Sequence, residues 1–83
     1  MPEICSFNGM SIKIIWEDHL PKHLHVFVGR SETRVTFEGE VLSGSLEPDK
    51  LKSLRNWIVK RQVELNNCWE RAMKKEPIER INP

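Results

Sequence analysis

Hydrophobic and polar side chains alternate along the first half of the chain, which is the pattern of half-buried β-strands. The alternation runs over Met10–Glu17, returns at 23–28 and 34–38, and ends in a short segment at 41–43. The segments 23–28, 34–38 and 41–43 are separated by only a few residues, and each of the two gaps contains a glycine. Neighbouring segments are therefore expected to pair as antiparallel hairpins. The pattern predicts an antiparallel meander of three to four strands over about residues 10–43.

The hydrophobic period changes from two to 3.6 residues near residue 46, which indicates a helix. Pro48 suits the first turn of that helix and Pro77 ends it. The apolar positions that fall on one side are Leu51, Leu54, Ile58, Leu65, Trp69 and Ala72. We therefore expect one long C-terminal helix at about 48–75 covering the sheet, with the tail residues Ile78 and Ile81 docked on the core. The chain is predicted to be a single α+β domain, 1–83.

Two details of the helix bear on packing. Arg61 and Gln62 interrupt the apolar stripe, so the middle of the helix is expected near the edge of the sheet. Val59 and Val63 lie on the far side of the helix from Leu54 and Leu65. They form a small exposed apolar pair, which predicts either a partner interface or a homodimer.

Composition narrows the class of protein. Thirteen basic and 12 acidic side chains give a net charge of +1, which excludes strong global attraction to nucleic acid. No apolar run approaches the ~20 residues of a membrane span, and the N-terminus lacks signal-peptide features, so a cytoplasmic protein without membrane contact is expected. In that compartment Cys5 and Cys68 are predicted to be free thiols, with a disulfide between them as the alternative.

All three histidines, His19, His23 and His25, lie within seven residues of one another and directly follow Asp18. On a strand, His23 and His25 point to the same face, about 7 Å apart. Histidine can transfer protons near neutral pH, so these rings are candidate catalytic residues for phosphodiester cleavage, with RNA as the substrate class.

Three charged residues near the histidines are candidate binding residues. Arg30 and Arg34 are expected to stabilise phosphate charge, and Asp18 is expected to orient one of the rings.

Two other interpretations of the same residues remain open. In the first, His19, His23 and His25 bind a divalent metal such as zinc, leaving one position for water, as in metal-dependent hydrolases. In the second, the residues are structural: Asp18 forms a side-chain turn, His19 and His23 bond to nearby carbonyl groups, and Pro21 stiffens the loop. No other cofactor is expected. Whether the chain is an enzyme stays open at this point.

The run Asp18-His19-x-Pro21-x-His23-x-His25-Val26 resembles the signature of the bacterial domain-of-unknown-function family numbered 4160. The resemblance covers nearly the whole chain. Its other parts are Met1-Pro2-x-Ile4, Gly29, Gly44-Ser45-Leu46, Trp57, Trp69-Glu70-Arg71-Ala72 and Pro77-Ile78. The chain departs from the family pattern at Leu24, where an aromatic residue is expected, and at Glu47-Pro48, where the proline is displaced by one position.

The resemblance implies a small bacterial protein with no established activity, often encoded beside another small protein. That arrangement is typical of toxin–antitoxin operons. The expected function is therefore a component of a two-protein toxin–antitoxin-like module with a histidine site that acts on RNA. The alternatives are a non-enzymatic binding or regulatory module, and a metal-dependent hydrolase or metal-binding protein that uses the same histidines.

Overall fold

Five antiparallel strands followed by two helices make up the fold, which confirms the α+β class. The computed structural model describes residues 3–16 and 18–83. The strands are β1 (Glu3–Phe7), β2 (Met10–Lys13), β3 (His23–Val28), β4 (Ser31–Thr36) and β5 (Val41–Ser43). Each strand pairs with its neighbour in sequence, in the order β1-β2-β3-β4-β5, so the sheet is the predicted meander.

The prediction of three to four strands starting at Met10 is wrong at its beginning, because β1 precedes that residue. Asn8 and Gly9 form the two-residue turn between β1 and β2, with φ angles of 49° and 75°. Positive φ at both turn residues matches the right-handed twist of a hairpin, and Asn-Gly adopts it at low cost. The strand predicted for 10–17 ends at Lys13, and the segment predicted for 34–38 pairs from Ser31 to Thr36.

The single long helix predicted for 48–75 is two helices, α1 (Pro48–Lys60) and α2 (Gln62–Met73). Arg61 separates them with φ −112° and ψ 25°, outside the helical region. The side-chain amide of Gln62 donates to the carbonyl of Ile58 at 3.1 Å and to the carbonyl of Phe37 at 2.7 Å. The polar gap in the apolar stripe thus marks an interruption of the helix, at a point tied to the end of β4.

The core lies between the sheet and the two helices. The sheet contributes buried aliphatic side chains that meet the buried faces of α1 and α2. These residues include Ile4, Ile12, Leu24, Val26 and Val35 from the strands and Leu54, Trp57, Ile58, Leu65 and Trp69 from the helices.

The C-terminal tail docks on the core, as predicted. Ile81 is buried, and its backbone N–H donates to the carbonyl of Ile4 at 2.7 Å. The indole Nε1–H of Trp57 donates to the carbonyl of Asn82 at 2.8 Å. The tail therefore joins the outermost strand to α1.

Cys5 and Cys68 are both buried and both free thiols, which confirms the prediction. Burial raises the pKa of each thiol. Within residues 3–16 and 18–83, neither helix has the length and apolar character that crossing a membrane requires.

Candidate functional site

Strand β3 directs alternate side chains to opposite faces of the sheet, and this alternation places the histidines. Leu24 and Val26 point into the core, so His25 points to the other face. His25 pairs across the sheet with Lys13 on β2 and with Arg34 on β4. Cross-strand partners share a face, so a lysine and an arginine flank the His25 ring on either side.

His25 is 1% exposed although it lies on the face of the sheet opposite the one from which Leu24 and Val26 enter the core. The connection between β2 and β3 covers the ring, because Asp18 in that connection lies against it. Oδ2 of Asp18 is 2.7 Å from Nε2 of His25. On the other side of the ring, Oε2 of Glu32 is 2.6 Å from Nδ1. Both ring nitrogens of a buried imidazole therefore meet carboxylate oxygens.

The contact with Glu32 fixes a proton on Nδ1 of His25. An ionised carboxylate only accepts hydrogen bonds, so Nδ1 of His25 donates to Glu32. That hydrogen bond, together with the nearby charges of His25 and Arg34, lowers the pKa of Glu32. Glu32 is thus an anion that holds the ring in one orientation.

His23 lies at the start of β3, between two other rings. Its centroid is 5.0 Å from that of His25 and 5.9 Å from that of Trp69 on α2. Nδ1 of His23 is 2.7 Å from the carbonyl oxygen of Pro21, whose peptide bond with Leu20 is cis. Since a carbonyl oxygen can only accept, Nδ1 of His23 is the donor.

Asp18 joins the two rings. Nε2 of His23 lies 3.0 Å from Oδ2 of Asp18, the same oxygen that contacts His25. Oδ1 of Asp18 accepts a hydrogen bond of 2.8 Å from the backbone N–H of His19. Burial by itself raises the pKa of Asp18, but the hydrogen bonds from His25 and His19 and the charges of both rings outweigh it, so the pKa is lowered. We refer to Asp18, His23 and His25 as the histidine centre.

The histidine centre differs from the predicted metal set in one residue. One ligand atom from each of Asp18, His23 and His25 lies within 4.8 Å of the others. His19 is exposed, and its ring is not part of this group. Its contribution to the centre is its backbone N–H. The structure thus brings together His23, His25 and Asp18, and leaves the side chain of His19 outside.

The two predicted phosphate-binding arginines have different positions. Arg34 is half exposed, and its Nε lies 3.5 Å from Oε2 of Glu32, the oxygen that also contacts His25. Arg34 therefore contacts the histidine centre indirectly, through the carboxylate of Glu32. Arg30 lies in the exposed turn between β3 and β4, at the opposite end of that hairpin from His23.

Sequence reasoning missed two groups at this site, Glu32 and Lys13, whereas the bond from His23 to a nearby carbonyl, here that of Pro21, agrees with the structural interpretation. A two-residue turn at Gly29 and Arg30 fixes the register of the hairpin, in which Phe27 pairs with Glu32 and His25 pairs with Arg34. Glu32 is then the diagonal neighbour of His25 on the same face. A two-residue turn would have predicted Glu32 beside His25, but the sequence interpretation assigned Ser31 and Glu32 to the turn.

The two Nε2 atoms of the histidine centre can hold either protons or a metal ion. Because both Nδ1 atoms donate, the two Nε2 atoms are left facing one carboxylate oxygen. Each Nε2 can hold a proton that is shared with Asp18, or it can present a lone pair to a metal ion. The side chain of Asp18 is 13% exposed, so the centre adjoins the surface at that residue.

Comparisons with known proteins place the chain in a family without a described activity. No curated protein and no solved structure matches the chain. The family described as "Domain of unknown function (DUF4160)" matches residues 9–70 and so includes β2 to β5, α1, most of α2 and the whole histidine centre. The matched segment is well over half of the 83 residues, and the chain therefore belongs to the DUF4160 family.

Proposed function

We propose that this protein is one component of a two-protein toxin–antitoxin-like module in the bacterial cytoplasm, and that its histidine centre acts on RNA. The observation that carries the proposal is the convergence of two imidazole Nε2 atoms on a single carboxylate, with Nδ1 of each ring already fixed by an acceptor. The two-protein arrangement is supported by the neighbouring-gene pattern of the proteins that this chain resembles.

Two imidazoles on one carboxylate can provide both a proton acceptor and a proton donor. Cleavage of RNA at a phosphodiester needs a base for the 2′-hydroxyl and an acid for the leaving oxygen, and paired histidines supply both near neutral pH. Asp18 stabilises whichever ring is charged, since it contacts Nε2 of both His23 and His25. Each ring can then change its protonation state without leaving an unpaired charge inside the protein.

The surface around His25 suits a phosphate backbone. Lys13 and Arg34 flank the ring on the neighbouring strands, although the whole chain is close to neutral. The Lys13 ammonium lies 4.9 Å from the centroid of the Phe27 ring, so a cation and an aromatic side chain stand together beside the centre. Cations that hold phosphates and rings that stack on bases are the usual components of single-strand binding.

Degradation of RNA by the purified, untagged protein tests this proposal. We expect wild type to cleave single-stranded RNA, and His23→Ala and His25→Ala to lose the cleavage. The matched control is His19→Ala, which removes an exposed ring outside the centre and should leave cleavage unchanged. Equal cleavage by all four proteins would show that the activity belongs to a contaminant and would end the assignment.

Burial of the rings supports a second candidate, a non-enzymatic binding component. His23 is 6% and His25 1% exposed, so RNA reaches them only if the connection carrying Asp18 moves. By contrast, Val59 and Val63 are 75% and 72% exposed on adjacent turns of α1 and α2. In this candidate function the valines contact the protein encoded by the adjacent gene.

Co-expression with the adjacent gene product tests the binding role. A stable complex is expected, and Val59→Ser/Val63→Ser should weaken it, whereas Lys52→Ser at another exposed position of α1 should not. Recovery of free chains alone would rule out this function. The alternative is that Val59 and Val63 form a homodimer interface. Light scattering on the isolated protein distinguishes the two cases by measuring the molar mass in solution.

A further inference from the structure

We infer that the histidine centre is a site for one divalent transition-metal ion, ligated by Nε2 of His23, Nε2 of His25 and Oδ2 of Asp18. This inference concerns binding alone: a ring whose Nε2 holds the ion cannot also transfer a proton at that atom, so in the metal-bound protein any action on RNA would depend on metal-bound water and not on the paired imidazoles. It differs from the metal site expected from the sequence, because Asp18 replaces the ring of His19.

The hydrogen-bonding directions in the centre call for positive charge between the three atoms, as ring protons or as a bound cation. Nδ1 of each ring is a donor to Pro21 or Glu32, so each uncharged ring presents a lone pair at Nε2. The third atom, Oδ2 of Asp18, is an acceptor as well. Three acceptors in contact repel one another unless protons or a metal ion lie between them. Two ring protons and one divalent ion bring the same charge, and either offsets the charges of Asp18 and Glu32.

The distances are close to those of a bound ion. Zinc bonds to histidine nitrogen and carboxylate oxygen are about 2.0–2.2 Å, which places pairs of ligand atoms about 3.0–3.5 Å apart in octahedral to tetrahedral geometry. Oδ2 of Asp18 is already 2.7 Å from Nε2 of His25 and 3.0 Å from Nε2 of His23. The three ligand atoms all lie within 4.8 Å of one another, so ligation requires a small outward movement of Asp18, which belongs to a loop, together with small rotations of the two rings.

The hydrogen bonds of His23 and His25 at Nδ1 are those typical of metal-binding histidines. Such a ring typically donates its other N–H to a carboxylate or a backbone carbonyl, which fixes its tautomer and direction. His25 donates to Glu32 and His23 donates to the carbonyl of Pro21. Trp69 packs beside His23, so one wall of the site is apolar.

The ligand types define the class of ion. Two imidazole nitrogens and one carboxylate oxygen suit Zn²⁺, Co²⁺ or Fe²⁺ better than the all-oxygen sites of Mg²⁺ and Ca²⁺. Three protein ligands leave at least one position for water, on the side where Asp18 reaches the surface. Bound water at such a position has a lowered pKa and can act as a base or nucleophile.

Titration of chelator-treated, untagged protein with Co²⁺, followed by visible absorption and calorimetry, tests the inference. We expect saturable binding of one ion per chain, loss of that binding in His25→Ala and in Asp18→Asn, and retention in His19→Ala. Glu32→Gln should weaken binding by about tenfold or more, because an outer carboxylate of this kind typically contributes about 10–100-fold. No saturable binding by wild type, or loss of binding in His19→Ala, would overturn the inference.

A second measurement uses only wild type and so does not depend on the folding of any variant. X-ray absorption of the Zn²⁺-loaded protein should show two imidazole ligands with oxygen and without sulfur. A sulfur ligand from Cys5 or Cys68, or the absence of paired imidazoles, would contradict the site. Neither experiment involves RNA, so failure here leaves the RNA proposal to its own test, and failure of that test does not affect this one.

Discussion

Nε2 of His25 lies 2.7 Å from Oδ2 of Asp18, and this contact attaches the connection between β2 and β3 to the face of the sheet opposite the hydrophobic core. The same oxygen holds His23, and Glu32 holds the opposite side of the His25 ring. A side chain that would otherwise be exposed on an open sheet face becomes part of a second, polar core.

Removal of the His25 ring should destabilise the fold. In His25→Ala, Asp18 and Glu32 lose the donor that both of them share, although Asp18 keeps His23 and the N–H of His19 and Glu32 keeps Arg34. Loss of hydrogen bonds to charged groups of this kind costs about 1–3 kcal/mol. Glu32 is partly exposed, so its share of that loss is reduced by solvent screening. The free energy of unfolding in urea measures the effect. His19→Ala is the control and should change it by no more than about 0.5 kcal/mol; an equal loss in both variants would contradict the proposed arrangement.

Gly44→Ala should disturb the backbone that positions Glu32. Gly44 has φ 78°, and a Cβ atom there would lie 2.5 Å from the carbonyl oxygen of Glu32. Gly29 provides the comparison, since it has φ 59° but no neighbouring atom within 4 Å of the position that a Cβ would occupy. Both variants incur the cost of a left-handed residue, about 1 kcal/mol, and only Gly44→Ala adds a collision with backbone. The unfolding temperature should therefore fall further in Gly44→Ala, and equal shifts would contradict this account.

Lys13 and Arg34 should contribute to RNA affinity by binding phosphates. In the double variant Lys13→Ala/Arg34→Ala, the slope of log affinity against log salt should become shallower by about 1.4, because each neutralised phosphate of a single strand contributes about 0.7 to that slope. Lys52→Ala/Lys60→Ala removes the same charge from the exposed surface of α1 and should leave the slope unchanged. Fluorescence anisotropy with a labelled RNA over a range of salt concentrations measures both. Identical slopes in the two double variants would show that binding depends on net charge and not on this face.

Both thiols should react slowly in the native protein. Burial raises the pKa of Cys5 and of Cys68, which reduces the thiolate fraction at neutral pH and also limits access of the reagent. Mass spectrometry after brief treatment with iodoacetamide should find little alkylation in buffer and alkylation of both residues in denaturant. Rapid modification without denaturant would contradict the burial of these side chains, and a mass two hydrogens lower would reveal a disulfide.

The sequence predicted the parts of this fold that depend on periodicity, and it failed where the structure depends on turns and backbone geometry. Alternation located β3, and the 3.6-residue period located the helical region. The strand β1 was missed because the Asn8-Gly9 turn was not used as a hairpin signal. The interruption at Arg61 depends on the contact between Gln62 and the carbonyl of Phe37, which requires the tertiary fold.

In the candidate site, too, periodicity predicted some features, whereas turns and loop paths determine the others. A period of two placed His23 and His25 on one face of a strand, and the structure brings them together. The role of Glu32 depends on the register of the β3–β4 hairpin, which two turn residues determine. The role of Asp18 depends on the path of the connection that follows β2, and no periodic pattern describes that path. His19 was included on residue type alone, and its side chain lies outside the centre.

The central claim is that the histidine centre is the functional part of this protein. Its most direct test is growth of a bacterial host after tightly controlled induction of wild type, the His23→Ala/His25→Ala double variant and His19→Ala, at matched soluble expression. We expect arrest by wild type and by His19→Ala, and normal growth with the double variant. Arrest by all three proteins, or normal growth with all three, would contradict it.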